Sequence, residues 1–176
     1  MFTLTQFKET ALFTILVRNF SIRKMEIISY QPQYAEDFKK LNLAWLEKYF
    51  WIEPHDEEVL GKPEKYIIET GGNIFFVKDG EKIIGCVALM KMKEGVFELT
   101  KMAISPAYQG RRLGQKLMEH TLDFAKKQGW NRLIIFSNRK LENAIYIYKK
   151  YGFSEIPIGE NNPYARGDIK MKLELS

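Results

Sequence analysis

The run Phe97-Glu98-Leu99-Thr100-Lys101-Met102-Ala103-Ile104 alternates as a β-strand does, stops at Pro106, turns through Tyr108-Gln109-Gly110-Arg111-Arg112 and opens a helix at Leu113-Gly114. Strand, basic loop and helix start must then follow one another in space. The first N–H groups of a helix have no intrahelical acceptor, and the macrodipole is positive at that end, so a phosphate or pyrophosphate settles there without dedicated side chains. Basic residues at a helix start oppose the dipole unless an anion is bound, and Arg111, Arg112 and Lys116 stand at this one. The segment predicts an anion cradle inside a mixed α/β domain.

The flanking sequence supplies the rest of that domain. Residues 1–24 read as an N-terminal extension, and Met25 opens a cleaner strand pattern that starts the domain of residues 25–176. Tyr34, Phe38, Leu41, Trp45 and Tyr49 recur every three to four residues, which predicts a helix with one buried stripe. Pro54 begins a short helix whose acids Asp56, Glu57 and Glu58 suit its first turn. Strands are expected at 73–78, 82–90 and 96–104, joined as antiparallel hairpins by Asp79-Gly80 and Gly95. The helix opened at Leu113 should bury Leu113, Leu117, Met118, Leu122 and Ala125 and end near Gly129. A strand at 132–136, a helix at 141–151 and a strand at 169–175 complete one central sheet with helices on its faces.

Composition narrows the partners. At 176 residues with 45% apolar content the chain can bury a core, and 28% charged residues of mixed sign argue against disorder. The net charge of +5 admits a nucleic acid, an anionic membrane or an anionic small ligand. No basic stripe with interleaved aromatics lies outside the loop at 108–112, which argues against nucleic acid. The apolar run 11–17 is far shorter than the ~18 to 20 residues of a spanning helix. It also lacks the flanks of a signal peptide, so a cytoplasmic location without membrane attachment is expected. Cys86, the single cysteine, sits in the apolar run 83–89 and reads as a buried structural thiol. His55 and His120 lie far apart with no clustered third ligand, so no metal is expected.

Two blocks resemble the GNAT superfamily of acetyl-CoA-dependent N-acetyltransferases. The first is the loop from Gln109 to Gly114, where the family has Gln or Arg, two free positions, Gly, one free position and then Gly or Ala. Arg112 stands in the place of the middle glycine, where an L-residue either clashes or adds a charge for the pyrophosphate. The second block runs from Ser137 to Phe153, with Ala144, Tyr148, Gly152 and Phe153 on the family's spacing. Leu141 replaces the asparagine common seven residues before the tyrosine, leaving Asn138 or Asn143 to take over its polar contact.

The resemblance implies a central mixed, mostly antiparallel sheet of about six to seven strands with helices on both faces. It implies acetyl-CoA as co-substrate and direct attack of an amine on the thioester. The cofactor would be held by Met102, Ala103, Ile104, Gln109, Gly110, Arg111, Arg112, Leu113, Gly114, Gln115, Asn138 and Asn143, with a backbone N–H of residues 102–104 meeting the carbonyl oxygen. Glu98 matches a general base, acting directly or through a water; as a strand-surface carboxylate it would instead pair with a lysine. Strand alternation would put Thr100, Met102 and Ile104 on its face and raise its pKa by partial desolvation. Tyr148 matches the general acid. A phenol of pKa ~10 reaches a thiolate whose acid is near ~8.5 by a modest uphill step.

The acceptor wall implied by the family comprises Trp45, Tyr49, Phe50, Trp51, Glu53 and His55, with Tyr164 and Arg166 on the rim. Aromatics with acids would suit a cationic amine, while helix-start and core roles also explain these residues. The amine's identity is open, and exposed strand edges allow a homodimer. The alternative activity is a non-catalytic acyl-CoA sensor or interaction module on the same fold.

Overall fold

The computed structural model describes residues 25–159 and 162–175. The extension expected at residues 1–24 lies outside the described residues. The strands are β1 (Met25–Ser29), β2 (Asn73–Asp79), β3 (Lys82–Lys93), β4 (Val96–Ile104), β5 (Arg132–Ser137), β6 (Ser154–Ile156) and β7 (Ile169–Glu174). The helices are α1 (Ala35–Tyr49), α2 (Pro54–Gly61), α3 (Leu113–Lys127) and α4 (Glu142–Lys150), with a π-helical turn at Glu64–Ile68. Gly80 and Gly95 turn the two hairpins at φ of 59° and 67°, values that cost glycine little. The short β6 and the π-helical turn have no periodic signature long enough to read from sequence.

One seven-stranded sheet runs in the order β1-β2-β3-β4-β5-β7-β6. Every pairing is antiparallel except β4 with β5, which is parallel and covers only Val96, Phe97 and Glu98 against Arg132, Leu133 and Ile134. Beyond that point β5 continues beside β7 to Ser137, while β4 follows β3 to Ile104. The sheet is split between its fourth and fifth strands, and the split opens toward the start of α3.

Each face carries its own core. Leu117, Met118 and Ala125 of α3 pack with Phe75, Val87, Leu89, Leu99, Leu133 and Ile135. On the other face Phe38, Leu46, Val59 and Leu60 pack with Ile74, Phe76, Cys86 and Ala88. Burying one such large side chain contributes about 1.5–3 kcal/mol. The buried stripe of α1 is Phe38, Asn42 and Leu46: it shares Phe38 with the stripe read in sequence and then runs one position later, so Tyr34, Leu41, Trp45 and Tyr49 flank it half-buried. Asn42 survives there by donating to the Phe38 carbonyl at 2.9 Å and to Cys86 Sγ at 3.3 Å. Cys86 is buried, and burial pushes its thiol up to about 12.

A bulge in β4 corrects the expected alternation. The β3–β4 register shifts between Cys86 and Ala88, where Lys101 takes a left-handed φ of 51°. Glu98 and Thr100 pair with Met90 and Ala88, and after the bulge it is Ala103, opposite Cys86, that continues their face. Met102 and Ile104 pack instead with the α3 cluster on the opposite face, so they are not neighbours of Glu98.

Candidate active site

The loop before α3 ends in Arg112, which caps the helix in a left-handed conformation at φ 59°. No side chain caps the first turn and no acid lies in it, so its N–H groups are free for an outside anion. Gly110 takes φ 77°, a turn that frees the following arginines to reach outward. Arg111 stacks on the Tyr108 ring at 4.9 Å, and the Tyr108 hydroxyl donates to Asp79 Oδ2 at 3.0 Å. Gln109 Nε2 donates to the Ile104 carbonyl at 3.3 Å and ties the loop to the end of β4. An exposed, uncapped helix start with Arg111, Arg112 and Lys116 around it fits a pyrophosphate.

From this cradle a cavity of about 670 Å³ extends into the split between β4 and β5. Leu99, Thr100, Lys101, Met102 and Ile104 line it from β4, and Ile135, Phe136 and Ser137 from β5. Ala144, Ile147 and Tyr148 of α4 form another wall, and Trp45, Tyr49 and Phe50 also line it. Because β5 leaves β4 after Glu98, the β5-facing backbone edge of residues 99–104 borders the cavity. An extended pantetheine-like chain could pair with that open edge as a strand would.

Tyr148 lines the cavity and packs its ring 6.1 Å from Phe153. Burial pushes its phenol up to about 12, steeper for proton donation than the ordinary value predicts.

Glu98 does not reach the cavity wall. It is 5% exposed, and the Tyr164 hydroxyl covers it, donating to Glu98 Oε1 at 2.8 Å and lying 3.4 Å from Thr100 Oγ1. Desolvation raises the Glu98 pKa, offset in part by Tyr164, Thr100, Lys101 and His55. The bulge turns Lys101 toward Asp56, where Nζ meets Oδ1 at 2.6 Å. Arg166 forks onto both Asp56 oxygens at 2.6 and 3.0 Å and lies 3.3 Å from Glu53 Oε2. Asp56 is fully buried: burial alone would raise its pKa, but Arg166 and Lys101 outweigh that and hold it at about 2. It is the hub of a buried ion cluster rather than only a first-turn acid.

The other predicted residues divide between the cavity and its supports. Trp45, Tyr49, Tyr164, Arg166, Asn138, Asn143, Gln109, Gly110 and Gly114 line the cavity. Leu113 is core, and Gln115 and Ala103 do not line the cavity. Trp51 is 58% exposed and off the wall, and Glu53 supports from below, accepting from the Arg166 backbone N–H at 3.0 Å. These placements undo the picture of aromatics with free acids around a cationic amine, since Arg166 and Lys101 already neutralise Glu53 and Asp56. Asn138 is committed to the loop, donating to the Arg166 carbonyl at 2.7 Å, whereas Asn143 is exposed on the first turn of α4. Thr100, Lys101, Phe136 and Lys140 also line the cavity, and of these only Thr100 is singled out from sequence, as a neighbour of Glu98. A lysine in mid-strand at 101 was the one available signal.

Among the described residues no cluster of His, Cys, Asp and Glu could hold a metal, and no helix is long and apolar enough to cross a membrane. The profile of the acetyltransferase (GNAT) family matches residues 20–153. The chain belongs to that family. An uncharacterised N-acetyltransferase of Schizosaccharomyces pombe is 25% identical over 149 residues, covering 82% of this chain and 91% of its own. A GNAT-family acetyltransferase from Staphylococcus aureus superposes with a TM-score of 0.79 at 21% identity, covering 87% of this chain and all of the other. A protein from Salmonella typhimurium, solved with its cofactor acetyl-CoA, gives a TM-score of 0.67 at 17% identity over 87% and 95% of the two chains. The seven-stranded, mostly antiparallel sheet with helices on both faces is thus the GNAT fold.

Proposed function

We propose that this GNAT protein is an N-acetyltransferase that takes acetyl-CoA and an amine together in one ternary complex. The observation that carries the reading is the split between β4 and β5, which joins the uncapped, basic start of α3 to Tyr148 and to Tyr164 through a single cavity. The Salmonella neighbour's acetyl-CoA supports the same choice of cofactor. Acetyl-CoA would supply the activated thioester. Arg111, Arg112, Lys116 and the first N–H groups of α3 hold its pyrophosphate. The open edge of β4 orients the chain that follows and presents N–H groups at the carbonyl oxygen. Tyr148 holds the proton that the departing sulfur needs.

The acceptor amine enters from the Tyr164 side. Trp45, Tyr49, Phe50 and Phe136 supply aromatic surface there. Lys140, over the Phe50 ring at 3.8 Å, is a lining cation whose Nζ donates to the Tyr49 carbonyl. This lining suits a primary amine on an aromatic or carboxylate-bearing body better than a polycation.

Release of free thiol from acetyl-CoA, followed across amino acids, aromatic amines, polyamines and peptide N-termini, tests the reading. The expected outcome is release with at least one class, cut about 100-fold or more in Tyr148→Phe. Thermal stabilisation by acetyl-CoA without thiol release for any amine would favour the non-catalytic acyl-CoA sensor.

A further inference from the structure

Glu98 is the carboxylate placed to end as proton acceptor, yet it is sealed from the cavity. We propose that Tyr164 is a catalytic residue, its hydroxyl relaying the acceptor's proton to Glu98. The inference rests on the transferase reading above. Tyr164 and Thr100 both line the cavity, and the Tyr164 hydroxyl lies 3.4 Å from Thr100 Oγ1 while donating to Glu98 Oε1 at 2.8 Å, so this side chain links the lining to the buried carboxylate. An ammonium that reaches the Tyr164 oxygen gives it one proton while the hydroxyl proton passes to Glu98 Oε1. The products are a neutral amine, an unchanged phenol and a protonated Glu98, and no charge is left on the tyrosine.

The surroundings hold that geometry. Asn162 accepts from the Tyr164 backbone N–H at 3.1 Å and donates to the Gly167 carbonyl at 2.8 Å. Two residues on, Arg166 is anchored by Glu53 and Asp56. The Tyr164 ring lies 5.6 Å from His55, 5.9 Å from Phe136 and 5.0 Å from Lys101 Nζ. The charged and titratable groups facing Glu98 and Tyr164 are therefore Lys101 on β4, His55 and Asp56 on α2, and Arg166 on the loop before β7. Lys101 and Arg166 are each spent on Asp56, which leaves Glu98 as the acceptor in line with the hydroxyl.

With an amine that the wild-type protein acetylates, tyramine and phenylalanine being the first probes, kcat is measured for Tyr164→Phe, Glu98→Gln and the double variant. Each single change is expected to lower kcat about 100-fold or more, with the double variant little worse because the two act as one unit. Stabilisation by acetyl-CoA should persist in all three, since the cradle is untouched. A wild-type kcat in Tyr164→Phe, or losses that multiply in the double variant, overturns the relay. A second readout needs no acceptor: the carboxyl ¹³C titration of Glu98 should move to higher pH in Tyr164→Phe, which removes a donor to the carboxylate. An unmoved titration also overturns the relay. If Tyr164→Phe does not fold, 3-fluorotyrosine at 164 keeps the shape with a more acidic phenol, and an unchanged pH–rate profile counts against it. No thiol release by wild-type protein with any amine would remove the transferase function itself, an outcome distinct from all of these.

Discussion

Asp56 is held by Lys101 Nζ at 2.6 Å and by both arms of the Arg166 guanidinium at 2.6 and 3.0 Å. Three facts about the chain point to a solvated first-turn acid: it follows Pro54, precedes two glutamates and opens a short helix. In the fold it accepts the Glu53 backbone N–H at 3.1 Å as half of a capping box and still has oxygens for Lys101 and Arg166. Removing its charge leaves two buried cations, with only Glu53 close to Arg166. Asp56→Asn is expected to cost about 3–5 kcal/mol, read from urea midpoints at pH 7. The pH dependence has a definite sign. A folded-state pKa of about 2 lies below the ordinary 3.8, so the stabilisation is complete above about pH 4 and is lost as pH falls toward about 2. The Asn variant should lack that part of the acid limb. Arg112, by contrast, is legible in the motif alone as a non-glycine where the family has glycine, and it takes φ 59°.

Among the elements, β4 determines the most. Its span of 96–104 matches the strand expected from alternation, because nine residues of period two between Gly95 and Pro106 leave little choice. What alternation could not anticipate is the bulge at Lys101, which moves Met102 and Ile104 to the α3 face and leaves Lys101 aimed at Asp56. A left-handed lysine carries roughly 1 kcal/mol of backbone strain that glycine would not. Lys101→Gly and Lys101→Ala both lose the ion pair, but only the alanine keeps the strain. Alanine should therefore be the less stable by roughly 1 kcal/mol in parallel urea titrations, and equal midpoints would show that the bulge relaxes. In α3 the sequence stripe and the buried stripe agree at Leu113, Leu117, Met118 and Ala125, with Thr121 buried beside them and Leu122 only half-buried. The buried stripes of α1 and α3 both obey the 3.6-residue period; the surrounding strands select between adjacent positions.

Over the whole molecule, the split sheet and its cavity are the functional unit, and binding should be visible as stability. A ligand that occupies only the folded state adds about 2.7 kcal/mol at 100 times its Kd. Acetyl-CoA is expected to raise the Tm by several degrees, and the rise should shrink with added salt if Arg111, Arg112 and Lys116 carry the pyrophosphate. A shift independent of salt would place the affinity elsewhere in the cavity. The chain by itself determined the order of its elements, the hairpin turns and the basic helix start, because period, turn residues and capping act within a few neighbours along the backbone. Tertiary structure alone decided that Glu98 lies beneath Tyr164, that Asp56 joins Lys101 and Arg166, and that Trp51 stands outside the cavity. Those outcomes depend on desolvation and ion pairing between residues 45 to 110 positions apart. No local pattern records which distant charge will arrive to offset the burial of another.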